Sequence, residues 1–329
     1  MIAVVTGSNG FIGSHLVEEL LRQGFFVRCI DIHDCARYLP DSPRITYYCI
    51  NCADIEAISK TDILEDADYV FHLAGSTKNV KLEAFRKGNV LPTENILQVI
   101  VNRNIHLKRF IYISTQAAAG PAESLSQPVS EKMTPHPVGY YAQSKLEGEY
   151  AVQRYTNQVP FTILRPASVY GPRDVDFFNI FKQINNHLCL YPGNRDKYIS
   201  LIYVADFVRG MIQAAQSPRT KNQTYFLCAD DSVCWREIYT SIALVEKKRA
   251  TAFNIPQSVV EFFGKLGDFY GRMTGQFSIV NSQKILLSKP SYWICSAEKA
   301  KKDFGFQATV TLSEGLEVTY RWYVENKWL

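Results

Sequence analysis

Short apolar runs and helix-length patterns alternate through the first half of this chain. Runs of strand length fall at residues 2–5, 25–30, 45–50, 68–74, 108–114 and 161–165. Most are separated by stretches whose apolar residues recur every three or four positions, the period of a helix with one buried face. The first such stretch carries Phe11, Ile12, Leu16, Val17, Leu20 and Leu21 on one stripe, and Gly24 stands where a left-handed cap would close it. Longer patterns predict helices over residues 80–104 and 138–155. Buried strands joined by helical lengths predict an α/β chain with a Rossmann-type doubly wound parallel sheet. Ligands of such sheets bind beyond the carboxyl ends of the strands.

After Gly171-Pro172 the pattern changes. Phe177, Phe178, Ile180, Phe181 and Ile184 predict a helix. Leu201-Ile202-Tyr203-Val204 predicts a strand returning to the sheet, and residues 206–216 a helix after it. Beyond Pro218 the signals are shorter and less regular. The expected division is a sheet domain of residues 1–172 and 201–228 and a smaller α+β lobe of residues 173–200 and 229–329. One segment stands apart. Val259, Phe262, Phe263, Leu266, Phe269 and Tyr270 fall at helical spacing, which suits packing on the lobe, a partner or a lipid surface.

With 329 residues, 47% of them hydrophobic, the chain can bury a sizeable core. Lys and Arg number 36 against 32 Asp and Glu, a net charge of +4 with no long basic run. That balance gives no reason to expect nucleic acid or a membrane as partner. No apolar run reaches the roughly 18 residues that span a bilayer. A strand pattern from Ile2 leaves no room for a signal peptide, so a soluble, cytoplasmic protein is expected. Eight scattered cysteines are expected as buried, reduced thiols. Cys49 and Cys52 have CxxC spacing, but no second pair suits a metal and no helix behind them suits a redox site.

Candidate chemistry begins at Val4-Val5-Thr6-Gly7-Ser8-Asn9-Gly10-Phe11-Ile12-Gly13. Strand, glycine turn and helix in that order make a nucleotide-phosphate site. Gly7 permits the tight turn, Gly10 lets backbone approach a pyrophosphate, and Gly13 lets helix and strand pack closely. The helix N-terminus then directs unpaired N–H groups at the phosphates. The second strand ends at Asp31, close to the roughly 20-residue spacing of a carboxylate that accepts hydrogen bonds from an adenosine ribose. A carboxylate there repels a 2′-phosphate and favours NAD. Arg37 nearby keeps NADP open.

Tyr141 and Lys145 lie four residues apart within the helix predicted over residues 138–155, so they share a face. An ammonium beside a phenol favours the phenolate, which predicts a Tyr141 pKa below the usual value of about 10. Upstream, Ser114-Thr115 ends a strand at the ligand-binding edge. Thr115 is the candidate hydroxyl for a reacting oxygen, with Ser114 tying down the loop.

Taken together, these motifs resemble the extended short-chain dehydrogenase/reductase family, the NAD-dependent epimerases and dehydratases, nearly end to end. The glycine motif appears as Gly7, Gly10 and Gly13, the ribose carboxylate as Asp31, and the adenine-side acidic residue as Asp54-Ile55. His72-Leu73-Ala74-Gly75 resembles the stretch that runs beside the cofactor, and Asn89, Thr93 and Asn95 the central helix motif. Thr115 stands five residues before Gly120, as the family's catalytic hydroxyl does. Residues 164–172, with Pro166 and Val169, resemble the loop bordering nicotinamide and substrate, and Tyr203-Val204-Ala205-Asp206 the returning strand. Residues 297–306 and 312–323 resemble the closing helices.

The resemblance implies hydride transfer at a secondary alcohol or ketone. Tyr141 would be the general acid/base, Lys145 would bind the nicotinamide ribose, and Thr115 would orient the reacting oxygen. It also implies a homodimer formed by the helices of residues 80–104 and 138–155. Many such proteins act on nucleotide-diphosphate sugars, and those often carry an arginine five residues before the valine of the returning strand. Here that position is Ile199; Arg195, Lys197 and Lys289 are the other phosphate candidates. Three functions remain open: an oxidoreductase of an alcohol or ketone without a nucleotide handle, a sugar-nucleotide epimerase with tightly held NAD, and a non-catalytic NAD sensor.

Overall fold

The protein is described by a computed structural model covering residues 1–33, 37–104, 106–274 and 282–329. The first half runs β1 (Ile2–Thr6), α1 (Phe11–Arg22), β2 (Phe26–Asp31), β3 (Ile45–Cys49), α2 (Ile55–Ser59), β4 (Tyr69–His72), α3 (Leu82–Asn89), α4 (Leu91–Arg103), β5 (Arg109–Ile113), α5 (Gln116–Ala119), α6 (Gly139–Gln153) and β6 (Phe161–Pro166). There follow β7 (Ser168–Tyr170), α7 (Val175–Asn185), β8 (Leu188–Pro192), β9 (Tyr198–Tyr203), α8 (Val204–Gln216), β10 (Gln223–Leu227), β11 (Ser232–Cys234), α9 (Trp235–Val245), β12 (Thr251–Ile255), α10 (Gln257–Thr274), α11 (Ser282–Ser288), β13 (Tyr292–Trp293), α12 (Glu298–Phe304) and α13 (Leu312–Glu325).

Seven strands form one parallel sheet in the order β10-β6-β5-β4-β1-β2-β3. Its central strands β4, β5 and β6 are buried throughout, as parallel strands covered on both faces are. One face is covered by Leu16, Val17 and Leu20 of α1 with Val208 and Met211 of α8. The other is covered by Ile96, Leu97 and Ile100 of α4 with Val152 of α6. A third core gathers around Tyr170, Phe181, Ile238 and Tyr323. The α/β class and the doubly wound sheet are as the sequence pattern predicts.

Two elements differ from that expectation. The single helix expected over residues 80–104 is two, α3 and α4, meeting at Val90. Pro92 explains the break: it has no N–H to give, and its ring would strike the carbonyl four residues back. The strand expected to return to the sheet does not. β9 pairs with β7, β11 and β13 in a second sheet, and the seventh strand of the main sheet is β10, beside β6. Phe177 and Phe181 of α7 are buried in the third core, so they are packing residues.

The seven described cysteines are free thiols, all buried but Cys49; Cys35 lies outside the described residues. Burial pushes the Cys52 thiol up to about 12, which leaves it little thiolate near neutral pH.

Candidate functional site

The glycine turn joins the end of β1 to α1 along the carboxyl edge of the sheet. Gly7 has φ +68°, and a Cβ there would stand 2.9 Å from the Ala74 nitrogen. A Cβ on Gly13 would stand 2.1 Å from the Gly7 carbonyl oxygen, so α1 starts against the turn itself. Gly10 is the N-cap of α1 and supplies no side-chain cap. The N–H groups of Phe11, Ile12 and Gly13 therefore face outward without partners inside the helix. Asp31, buried at the end of β2, accepts from the Asn9 N–H at 3.0 Å and the His33 N–H at 3.2 Å. Its carboxylate retains lone pairs for ribose hydroxyls. A Cβ-free cradle, outward N–H donors and a held carboxylate fit a dinucleotide. Arg37, beyond Asp31, lies over the Tyr38 ring at 5.2 Å.

The segment after β4 closes the cradle. Leu73 and Ala74 donate their N–H groups to the Thr6 carbonyl and hydroxyl, at 3.2 and 3.0 Å. Asn89 is buried behind Gly75. Its Oδ1 accepts from the Ser76 N–H at 2.7 Å, and its Nδ2 donates to the Ser76 carbonyl at 3.1 Å and to Ser144 Oγ at 2.8 Å. Asn89 thus ties this segment to α6. Asp54 is exposed and caps α2 by accepting from the Ala57 N–H, and Ile55 opens that helix. Pro166 ends β6 beside β10, and Val169 lies half-buried in β7.

Thr115, Tyr141 and Lys145 come from the loop after β5 and from α6, which packs on α5. Thr115 caps α5, its Oγ1 accepting from the Ala117 N–H at 3.3 Å, so its own proton stays available. Ser114 instead donates to Glu149 at 2.5 Å, which ties the end of β5 to α6. Tyr141 is half-buried, its ring 6.1 Å from that of Phe85. Burial pushes its phenol up to about 12, opposite to the direction the spacing predicts. The phenol's own burial is the cause, and no opposing effect comes from Lys145. Lys145 is itself buried, its Nζ sits 4.4 Å from the Tyr112 ring centre, and burial lowers it to about 7 against the opposing pull of the Glu149 charge. Desolvation acts on both groups, and it outweighs their one-turn proximity.

Spacing alone missed the buried support behind Lys145. Glu149 holds Arg165 by two bonds, Nε to Oε1 at 2.9 Å and Nη2 to Oε2 at 2.6 Å. The signal was present. Glu149 continues the Tyr141–Lys145 stripe by one turn, and Arg165 is the one charged residue of a buried strand. His72 is also buried, between Thr6 Oγ1 at 2.8 Å and Thr93 Oγ1 at 3.1 Å, and burial lowers it to about 3.

Two of the phosphate candidates on the substrate side are engaged with protein. Ile199 is buried in β9. Arg195 is exposed, Lys197 bonds the Ser288 carbonyl, and Lys289 pairs with Glu261 at 3.0 Å. Among the described residues no cluster of metal-ligand type occurs, and no helix is long and apolar enough to cross a membrane.

Residues 3–228 match the NAD dependent epimerase/dehydratase family. Mouse sterol-4-alpha-carboxylate 3-dehydrogenase, decarboxylating, is 23% identical over 96% of this chain and 89% of its own length. The Bacillus subtilis protein described as uncharacterized UDP-glucose epimerase YtcB is 26% identical over 76% of this chain and 84% of its own length. A solved UDP-glucuronic acid 4-epimerase from Bacillus cereus, in complex with UDP-glucuronic acid and NAD, superposes with a TM-score of 0.79 at 23% identity, covering 99% of this chain and 100% of that one. At that identity the likeness shows the fold.

Proposed function

This chain belongs to the NAD-dependent epimerase/dehydratase family, and on that premise we propose that it is an oxidoreductase working at a secondary alcohol or ketone of a substrate without a nucleotide diphosphate. NAD, bound at the first turn, supplies the hydride acceptor. The N–H groups of Phe11, Ile12 and Gly13 hold its pyrophosphate, and Asp31 holds its adenosine ribose. Thr115 donates to the reacting oxygen. Tyr141 takes the proton of the alcohol, and Lys145 holds the ribose beside it. Residues 1–172 and 201–228 serve the dinucleotide, and residues 173–200 and 229–329 the substrate, with β9 at the seam.

The observation that carries the substrate reading is Ile199, an apolar buried residue where a guanidinium would hold a diphosphate. Lys197 and Lys289 engaged with protein support it. So does the mouse relative, named for a sterol carboxylate. The second reading, a sugar-nucleotide epimerase that keeps its NAD, is favoured by the relative and the structural neighbour named for UDP-sugars. The sensor reading is weaker, because a sensor has no need of Thr115, Tyr141 and Lys145 together.

Absorbance of reduced nicotinamide separates the first two. Net reduction of NAD by a ring alcohol such as a 3-hydroxysteroid supports the oxidoreductase. Isomerised UDP-sugar without net reduction overturns it. A homodimer through α3, α4 and α6 is part of the same proposal. Leu91 and Tyr150 are exposed there, and shallow hollows lie between Glu83, Arg86, Glu147 and Arg154.

A further inference from the structure

Helix α10 is seated the wrong way round for a helix of a soluble lobe. Gly264 is buried and Val260 and Gly267 are half-buried, so its small residues form the packed side, against α11. Val259, Phe262, Phe263 and Leu266 lie on the other side, with Phe262 61% and Phe263 57% exposed. A soluble amphipathic helix turns such a stripe inward. The side chains of Phe269 and Tyr270, which continue the stripe in sequence, lie outside the described residues. In β12, which leads into α10 through Pro256, Phe253 is exposed as well.

Charge says what covers this face. Between Lys247 and Lys289 the sequence holds seven Lys and Arg against only Glu261 and Asp268, a surplus of +5. The whole chain carries +4, so everything outside the segment sums to −1. A second copy would bring two positive segments together. An anionic surface would not.

We propose that α10 is a membrane-surface helix that sets Phe262, Phe263 and Leu266 into the headgroup–acyl boundary of an anionic bilayer, to which the net positive charge of residues 247–289 is attracted. Exposed aromatic and aliphatic side chains in a basic segment are the composition of helices that lie in that boundary. The small net charge of the whole chain hides the feature, because the surplus is local. Helix α11, the neighbour of α10, adjoins the candidate chemistry. Gln283 of α11 accepts the Tyr140 N–H at 2.8 Å, one residue before Tyr141, and α11 packs on α6. The seating does not depend on the substrate reading, since it concerns this face alone.

Flotation with vesicles tests it. The full chain should rise with vesicles of phosphatidylcholine containing roughly one-quarter phosphatidylserine, and much less with phosphatidylcholine alone. The double variant Phe262→Ser, Phe263→Ser should lose vesicle binding by about tenfold or more. Its thermal melting should hold or rise, because both rings are more than half exposed and touch each other, 5.8 Å apart. Amide exchange in the wild-type chain gives a readout that needs no variant: α10 should be slowed by anionic vesicles. A wild-type chain left behind by anionic vesicles, a folded variant that floats equally well, or unchanged α10 exchange would overturn the proposal. Loss of a dimer, rather than of vesicle binding, in the double variant would also overturn it, in favour of self-association.

Discussion

Lys145 Nζ lies 4.4 Å from the centre of the Tyr112 ring, one helical turn beyond Tyr141. The cation therefore rests on an aromatic face in a dry place, and burial lowers its pKa from 10.5 to about 7. Between those two values the unfolded chain holds a proton that the folded chain has released. Stability therefore rises with pH across that window, and the gain is lost as pH falls through 7. Denaturant titrations at several pH values across the window should show the rise, and Lys145→Met should flatten it. An unchanged slope in the variant would assign the rise to another group.

Tyr141→Phe removes the proposed proton acceptor and leaves the glycine turn untouched. Turnover should fall by about 10²–10⁴-fold, the range for a general acid/base, with NAD affinity little changed. Steady-state rates and coenzyme titration together check this. A variant with most of its activity would remove Tyr141 from that role.

Glu149→Gln leaves the Arg165 guanidinium, which is only 6% exposed, without its carboxylate. Breaking a buried pair from one side costs about 3–5 kcal/mol. Chemical denaturation should show a loss of that order, since Ser114 and Lys145 also face Glu149. A loss near zero would mean that water reaches the pair.

Asp31→Ala should weaken NAD binding and improve NADP binding, because the carboxylate that repels a 2′-phosphate is gone while Arg37 stays nearby. Competitive titration of the two coenzymes reads this directly. A variant that still prefers NAD by the wild-type margin would relieve Asp31 of the discrimination.

Patterns that act over a few residues were legible in the sequence. The glycine turn, the stripe on α1, the sheet strands β1 to β6 and the Tyr141–Lys145 spacing all depend on local steric and periodic rules, and they stand where those rules put them. What depends on distant packing was not legible. β10 is a five-residue strand whose place beside β6 is fixed by tertiary pairing, and β9 looked like a returning strand because it is equally apolar. The Tyr141 pKa went the other way for a similar reason: a four-residue spacing shows proximity along a helix, but not that Phe85 and Tyr112, from other elements, dry the two groups. Gln257–Thr274 carried a readable helical stripe, yet only the structure shows that glycine packs and phenylalanine does not.

The most direct measurement is calorimetric titration of NAD into the wild-type chain and into Gly13→Ala. A Cβ at Gly13 would meet the Gly7 carbonyl oxygen at 2.1 Å, so the variant must shift the turn off its position. The prediction is saturable NAD binding by the wild type and its loss, by about tenfold or more, in a variant that still folds. Equal binding by the two proteins, or no binding by either, would contradict a dinucleotide held on the first turn.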